Sequence, residues 1–212
     1  MLPEKSNKPD CRSVEIEIVP ATPHDASFIA SAVMGALGHE LCLDLADGED
    51  NLPKVHNLFK NLASLPGSQY SYMNAYIAKN GQKQPIGAII AYDGALLHEL
   101  RKEFIREAKN VLGWEITDAE LEEWGDEAEP DEIYIDSLYV EPTYRSCGIA
   151  TRLINHVIAL QSHVGKPFGL LVEPDNLAAR CLYERLGFKP VGINNFFSVP
   201  MNHLQKNLII IH

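Results

Sequence analysis

The spacing of hydrophobic residues divides the first part of the chain into strand and helix segments. Residues 14–19 alternate apolar and acidic side chains, which predicts a half-buried strand. Apolar residues then recur every three or four positions from Asp25 onward and again over 52–65, which predicts two helices. Two further apolar stretches, 73–78 and 86–92, predict strands joined by a polar turn. We therefore expect the order strand, helix, helix, strand, strand.

The second part of the chain has the pattern of an α/β unit. Residues 133–140 predict a strand whose apolar alternation slips phase between Ile135 and Leu138, as it does at a β-bulge. The same criteria predict four later elements, in the order helix, strand, helix, strand, at 148–163, 168–173, 177–186 and 188–191. This order favours parallel strands joined by a right-handed crossover. The tail at 208–211 is short and apolar, and we expect a terminal strand there.

Residues 95–130 differ in character from both parts. Helical spacing predicts one charged helix over 95–111 and a shorter one over 118–124. The acidic run at 126–132 is more typical of a solvated surface loop than of a lip that attracts substrate. Because no Ser/Gly-rich linker or repeat is present, we expect a single domain over 1–212 in which 95–130 is an insertion.

The composition excludes several classes of protein. The chain has 46% hydrophobic and 22% charged residues, which is typical of a globular fold. Its 29 acidic and 18 basic residues give a formal net charge of -11, which disfavours nucleic-acid binding and favours a cationic partner. We expect no secretory leader, because the first residues contain no apolar segment of the kind a leader has. We expect no membrane span, because no apolar run approaches the roughly 20 residues required. Four dispersed cysteines favour free thiols in a reducing cytoplasm, and scattered histidines favour no metal site.

The turn that leads into the helix after the bulged strand has the features of an anion site. Gly148 and Ala150 let a ligand approach the backbone closely. The first N–H groups of a helix and its dipole attract a pyrophosphate there. Arg145 adds a positive charge, and Ser146 and Thr151 add hydroxyl donors. Alone, this turn also fits an ordinary strand-to-helix connection, because neither common nucleotide-binding glycine pattern is present.

Two neighbouring motifs make the chain resemble the GNAT superfamily of acetyl-CoA-dependent N-acetyltransferases. RSCGIA at 145–150 is similar to the family's Arg/Gln-x-x-Gly-x-Gly/Ala motif, and LYVEP at 138–142 is similar to its Leu-x-Val-x-Pro strand end. A later family motif is matched in spacing and residue type by Asn176, Ala179, Tyr183, Gly187 and Phe188. The resemblance covers 133–191, whereas the insertion and the tail after Gly192 depart from it.

The resemblance implies an α/β fold of the GNAT acyl-CoA N-acyltransferase type. Such a fold has a mixed central sheet with splayed strands, flanked by helices, and the helical insertion would lie between strands 3 and 4. Acetyl-CoA is implied as the cosubstrate, with no metal. The residues implied to bind it are Leu138, Tyr139, Val140, Arg145, Ser146, Cys147, Gly148, Ile149, Ala150, Thr151, Asn176 and Tyr183.

The resemblance also implies direct attack of an amine on the thioester, with no acyl-enzyme, so Cys147 is expected to be a packing residue. The Val140 N–H would stabilise the developing oxyanion. Tyr183 stands where the family places a general acid, although its position also fits a tyrosine packed at a sheet edge. Asp136 and Glu132 are the candidates for the general base, and each also fits a structural role.

The function implied is acetyl transfer to a primary amine, with a cationic small molecule as the expected acceptor. A protein or peptide amine remains an alternative, and so does a non-catalytic acyl-CoA-binding sensor. The acidic residues of the insertion, Glu127 and Glu129 among them, would either rim the acceptor entrance or only keep the segment soluble. Whether the protein forms a homodimer stays open.

Overall fold

The computed structural model describes residues 15–208, and in this part of the chain seven strands and seven α-helices form. In chain order they are β1 (Ile16–Pro20), α1 (Ala26–Leu37), α2 (His39–Ala46), α3 (Leu52–Ser64), β2 (Ala75–Asn80), β3 (Pro85–Asp93), α4 (Leu97–Leu112), α5 (Asp118–Trp124), β4 (Ile133–Val140), α6 (Ile149–Gln161), β5 (Phe168–Val172), α7 (Leu177–Arg185), β6 (Lys189–Phe196) and β7 (Val199–Lys206). The strands make one sheet in the order β1-β2-β3-β4-β5-β7-β6. The expected mixed α/β fold is therefore confirmed.

The pairing between β4 and β5 is parallel and short. It runs from Ile133 opposite Phe168 to Ile135 opposite Leu170, although both strands continue beyond these residues. All the remaining pairs of neighbouring strands in the described sheet are antiparallel. Beyond this short pairing the two central strands separate, which leaves a gap in the middle of the sheet.

A β-bulge interrupts β4 beside this gap. Ile90 pairs with Ser137 and Ala91 pairs with Ile135, so Asp136 is the extra residue on β4. The predicted phase slip in this strand is thus confirmed, since a bulge turns the following side chains to the other face.

Apolar clusters cover both faces of the sheet. Ile90 of β3 packs with α1, α3 and α4, whereas the preceding Ile89 packs with α6 and α7 on the opposite face. Successive residues of a strand point to opposite faces, so a central strand covered on both sides is apolar at nearly every position. This packing holds β3, the strand next to β4, between the two helical layers.

Two predictions about the acidic loop are wrong. Glu127 and Glu132 were expected to be solvated, but their exposed fractions are 5% and 0%. The Glu132 carboxylate lies 2.9 Å from Nε2 of His203 and accepts hydrogen bonds from Gln205 Nε2 at 2.7 Å and from the Glu129 N–H at 3.0 Å. These partners lie far away along the chain or in the backbone, so a local charge run does not reveal them.

Other expectations differ from the structure in detail. Helix α2 and strand β7 were not predicted, whereas Asp118–Trp124 forms α5 as expected. Leu208 lies outside any strand, and the rest of the expected terminal strand lies outside the described residues. Cys42 and Cys181 are free thiols, but Cys147 is disulfide-bonded, which corrects the expectation of free thiols at that position.

Within residues 15–208, no single helix has the length and apolar character needed to cross a membrane. The segment Pro23–Leu37, followed by α2, meets these criteria only as a pair that is bent by 108°.

Candidate active site

A cleft of about 1040 Å³ opens where β4 and β5 separate. Its walls come from the second half of β4, the turn into α6, the end of β5, α7 and the junction of α1 with α2. All of the predicted cosubstrate-binding residues except Cys147 line this cleft: Leu138, Tyr139, Val140, Arg145, Ser146, Gly148, Ile149, Ala150, Thr151, Asn176 and Tyr183. The separation of two strands thus brings distant sequence motifs around one space.

The backbone of β4 faces the gap beside β5. The Glu141 N–H donates to the Ile86 carbonyl at 3.0 Å, which makes these two residues a hydrogen-bonded pair of the antiparallel ladder. Because hydrogen-bonded and non-bonded pairs alternate, the N–H groups of Val140 and Leu138 point away from β3 and into the gap. The sheet therefore offers backbone donors to an extended ligand between β4 and β5.

The turn before α6 has the conformation required for an anion site. Ser146 and Gly148 have φ angles of +67° and +75°, and α6 begins directly afterwards at Ile149. A Cβ atom on Gly148 would meet no atom within 4 Å, so the space beside this residue is open, and the residue lines the cleft. Arg145 lies along the same wall, and its Nε donates to the Val140 carbonyl at 3.2 Å. A helix N-terminus and an adjacent guanidinium suit a pyrophosphate.

Tyr183, on α7, also lines the cleft. Its ring packs edge-on against Phe188 with the centroids 5.9 Å apart, and only 9% of the residue is exposed. Burial raises the pKa of Tyr183 to about 12, so the hydroxyl keeps its proton at neutral pH. Asn176 caps α7, because its Oδ1 accepts from the Ala179 N–H at 3.1 Å. A protonated hydroxyl at this place can donate a proton to an atom in the cleft.

Asp136 reaches the cleft from the bulge of β4. Its carboxylate accepts hydrogen bonds from Ser137 Oγ at 2.8 Å and, at a longer 3.4 Å, from the Tyr92 hydroxyl. Burial raises the pKa of Asp136 to about 7, an effect that these two hydrogen bonds partly oppose. Such a carboxyl group exchanges a proton close to physiological pH, as a general base must.

A comparison with known protein families decides the class of this site. The family model described as the acetyltransferase (GNAT) family matches residues 55–188, which include β4, the turn into α6 and α7. The chain belongs to the GNAT acetyltransferase family. Members use acetyl-CoA and act on amine acceptors. No curated protein matches the chain.

Solved structures share the fold of this GNAT chain. A structure described as an acetyltransferase is 23% identical and has a TM-score of 0.66. The match covers 90% of this chain and 98% of the acetyltransferase chain. An N-acetyltransferase from Staphylococcus aureus Mu50 is 22% identical, with 90% and 100% coverage and a TM-score of 0.67. The NatC complex bound to Gag peptide and CoA is 21% identical, with 92% and 99% coverage and a TM-score of 0.53.

The structure does not bring every candidate residue of this GNAT chain to the cleft. Glu132 is fully buried beneath β5 and β7 and does not line the cleft. A Cβ atom on Gly169 would lie 1.8 Å from its carboxylate, so the missing side chain at that position is what admits Glu132. The bonds of Glu132 join the loop before β4 to β7, which is a structural role.

Two groups of residues around the cleft were not predicted from the sequence. The end of α1 contributes Gly35, where a Cβ atom would lie 2.4 Å from the Tyr139 ring, so the glycine allows this ring to pack across the helix. Behind Asp136, the polar side chains of Tyr92 and Gln69 are buried. Gly35, a glycine inside an apolar helix, was the one feature of the sequence that could have indicated these residues, because the burial of Tyr92 and Gln69 leaves no local sequence pattern.

Within the described residues, no cluster of three or more His, Cys, Asp or Glu side chains could hold a metal ion.

Proposed function

We propose that this GNAT enzyme transfers the acetyl group of acetyl-CoA to a primary amine by direct attack in the cleft between β4 and β5. The observation that carries this proposal is that Asp136 and Tyr183 line the same cleft as the anion-binding turn. A carboxyl group that titrates near pH 7 and a hydroxyl that stays protonated suit the opposite proton transfers of acyl transfer.

Different parts of the cleft would carry out different steps of the reaction. The turn 145–151 would hold the pyrophosphate, and the thioester would then lie against the β4 backbone near Val140. Asp136 takes a proton from the attacking amine, directly or through water, and the nitrogen bonds to the carbonyl carbon. The Val140 N–H stabilises the oxyanion that forms. The C–S bond then breaks, and Tyr183 gives its proton to the departing sulfur.

The acceptor that we propose is a cationic small molecule. The net charge of -11 favours a basic acceptor, and the carboxylates of Asp136 and Glu173 both line the cleft. We propose that the enzyme forms one domain. The fold shared with the NatC complex, which was solved with a peptide and CoA, favours a peptide amine as the second candidate.

Release of the CoA thiol from acetyl-CoA tests both the reaction and the acceptor. The panel would contain polyamines, amino sugars and neutral primary amines beside peptides with a free N-terminus or a lysine. We expect turnover with cationic small amines, and a loss of turnover in Asp136→Asn with acetyl-CoA binding retained. Turnover with peptides alone would favour the second candidate. Tight acetyl-CoA binding without turnover on any amine would contradict catalysis and favour a sensor.

A further inference from the structure

A chain of buried polar groups leads from Asp136 into the insertion. The Tyr92 hydroxyl donates to Asp136 Oδ2, and Gln69 Nε2 lies 3.4 Å from the Tyr92 oxygen. The same Gln69 nitrogen donates to Glu127 Oε1 at 2.7 Å. Arg101 of α4 forms an ion pair with Glu127, with both side chains buried. The insertion is thus connected to the cleft carboxylate through the side chains of Gln69 and Tyr92.

The Glu127–Arg101 pair is unusually enclosed for a surface insertion. The exposed fractions of its side chains are 7% for Glu127 and 9% for Arg101. Arg101 also contacts Asp126 at 3.2 Å, so the guanidinium joins both acidic residues at the end of the insertion. Burying a charge pair is costly, and a pair retained at that cost needs either good geometry or a specific role.

We propose that Glu127 and Arg101 are positioning residues for Asp136, which act on it through the charge of Glu127 and through the side chains of Gln69 and Tyr92. This inference rests on the proposed function, in which Asp136 is the general base. If the proposal holds, the insertion helps to set the protonation of Asp136 and does not only cover the sheet. The proposal also replaces the expectation that Glu127 attracts acceptors from solvent, because the Glu127 carboxylate is buried and paired with Arg101.

The groups around Asp136 push its proton equilibrium in opposite directions. The negative charge of Glu127 raises the pKa of Asp136, whereas the hydrogen bond from Tyr92 lowers it. On the cleft side, Arg145, Glu173 and Tyr183 line the same space as Asp136. The buried ionisable groups that interact electrostatically with Asp136 or with one another are Tyr70, Tyr92, Tyr134, Glu127, Arg101 and Glu132. The three tyrosines have strongly raised pKa values because they are buried, so they stay neutral across the working range.

Two nearly isosteric variants should shift the pH dependence of kcat/KM in opposite directions. Catalysis by an ionised Asp136 makes kcat/KM rise with pH through the pKa of this group. Glu127→Gln removes a charge that raises this pKa, so the rising limb should move to lower pH by about half a unit or more. Tyr92→Phe removes a donor to the ionised carboxylate, so the same limb should move to higher pH. A purely structural role would lower stability without producing shifts of opposite sign.

A control variant and a direct titration complete the test. Glu103→Gln changes a carboxylate of α4 that pairs with Arg106 and lies outside the polar chain, so the limb should stay in place. Carboxyl ¹³C NMR of Asp136 reports its pKa without any turnover. A shift to lower pH in Glu127→Gln supports the inference even if Asp136→Asn proves fully active, a result that would remove only the proposed function. An Asp136 titration that is the same in folded Glu127→Gln and in the wild type would overturn the inference.

Discussion

Burial has opposite chemical consequences for the two residues on the walls of the cleft. Asp136 and Tyr183 both have raised pKa values, because a low-dielectric surrounding disfavours the charged form of each. For the aspartate this brings the pKa close to neutrality, where it can accept a proton. For the tyrosine it keeps the hydroxyl protonated but makes it a weaker acid, so proton transfer must follow the build-up of negative charge on the departing sulfur. The same physical effect therefore brings the aspartate into the range of a base and leaves the tyrosine as a proton donor only to a strongly basic atom.

Replacing Tyr183 by Phe tests the acid at residue scale. We expect kcat to fall by about a hundred- to a thousand-fold, because a single general acid contributes on this order. The KM for acetyl-CoA should change little, since the ring and its packing on Phe188 remain. Tyr76→Phe is the control, because this ring packs on His156 outside the cleft. Equal turnover in Tyr183→Phe, with chemistry limiting the rate, would make Tyr183 a packing residue.

A stability measurement tests the environment of Asp136 without any substrate. Its folded pKa of about 7 exceeds the unfolded value of about 3.9, so ionisation at rising pH costs folding free energy through this window. Asn cannot ionise, so Asp136→Asn should gain Tm relative to the wild type, and by more at pH 8 than at pH 5. The gain should amount to about 2–4 °C per kcal/mol. Asp44→Asn, at an exposed site on α2, is the matched control for the substitution. A pH-independent effect of Asp136→Asn would refute the shifted pKa.

Elements with a clear local pattern could be predicted from the sequence, and elements held by distant partners could not. The phase slip in β4 located the bulge, because side-chain alternation is a local property. Strand β7 was missed because His203 occupies an inward position that Glu132 satisfies from 71 residues away. For the same reason Glu127 was placed in solvent, although Arg101 and Gln69 bury it. The motifs thus predicted residues that line the cleft, whereas the buried polar groups next to Asp136 could be found only from the fold.

The turn before α6 allows a matched test at the scale of an element. Gly148 and Gly165 share a φ of +75° with ψ near zero, and a Cβ atom on either meets nothing within 4 Å. Leu at either position carries the same backbone strain, but only Gly148 lines the cleft. Gly148→Leu should therefore abolish acetyl-CoA binding in calorimetry, whereas Gly165→Leu should retain it. Similar affinities in the two variants would argue against a pyrophosphate on this turn.

At the scale of the whole molecule, the excess of acidic residues sets the field that an acceptor meets. The acidic side chains that remain exposed on α5, including Glu122 and Glu123, contribute to this field, whereas Glu127 is paired inside. Salt screens such exposed charges over about 10 Å at 0.1 M. We therefore expect the KM of a cationic amine to rise with ionic strength, while that of a neutral amine stays nearly constant. Equal salt dependence for both acceptors would remove charge steering from the account.

The central claim is that the gap between β4 and β5 is the site of acetyl transfer. A crystal structure of the protein with acetyl-CoA tests it most directly. We predict the pyrophosphate against the N–H groups of 145–151, the thioester oxygen within hydrogen-bond distance of the Val140 N–H, and the sulfur beside the Tyr183 hydroxyl. Acetyl-CoA bound outside this gap, or bound within it with the thioester remote from Asp136 and Tyr183, would contradict the account.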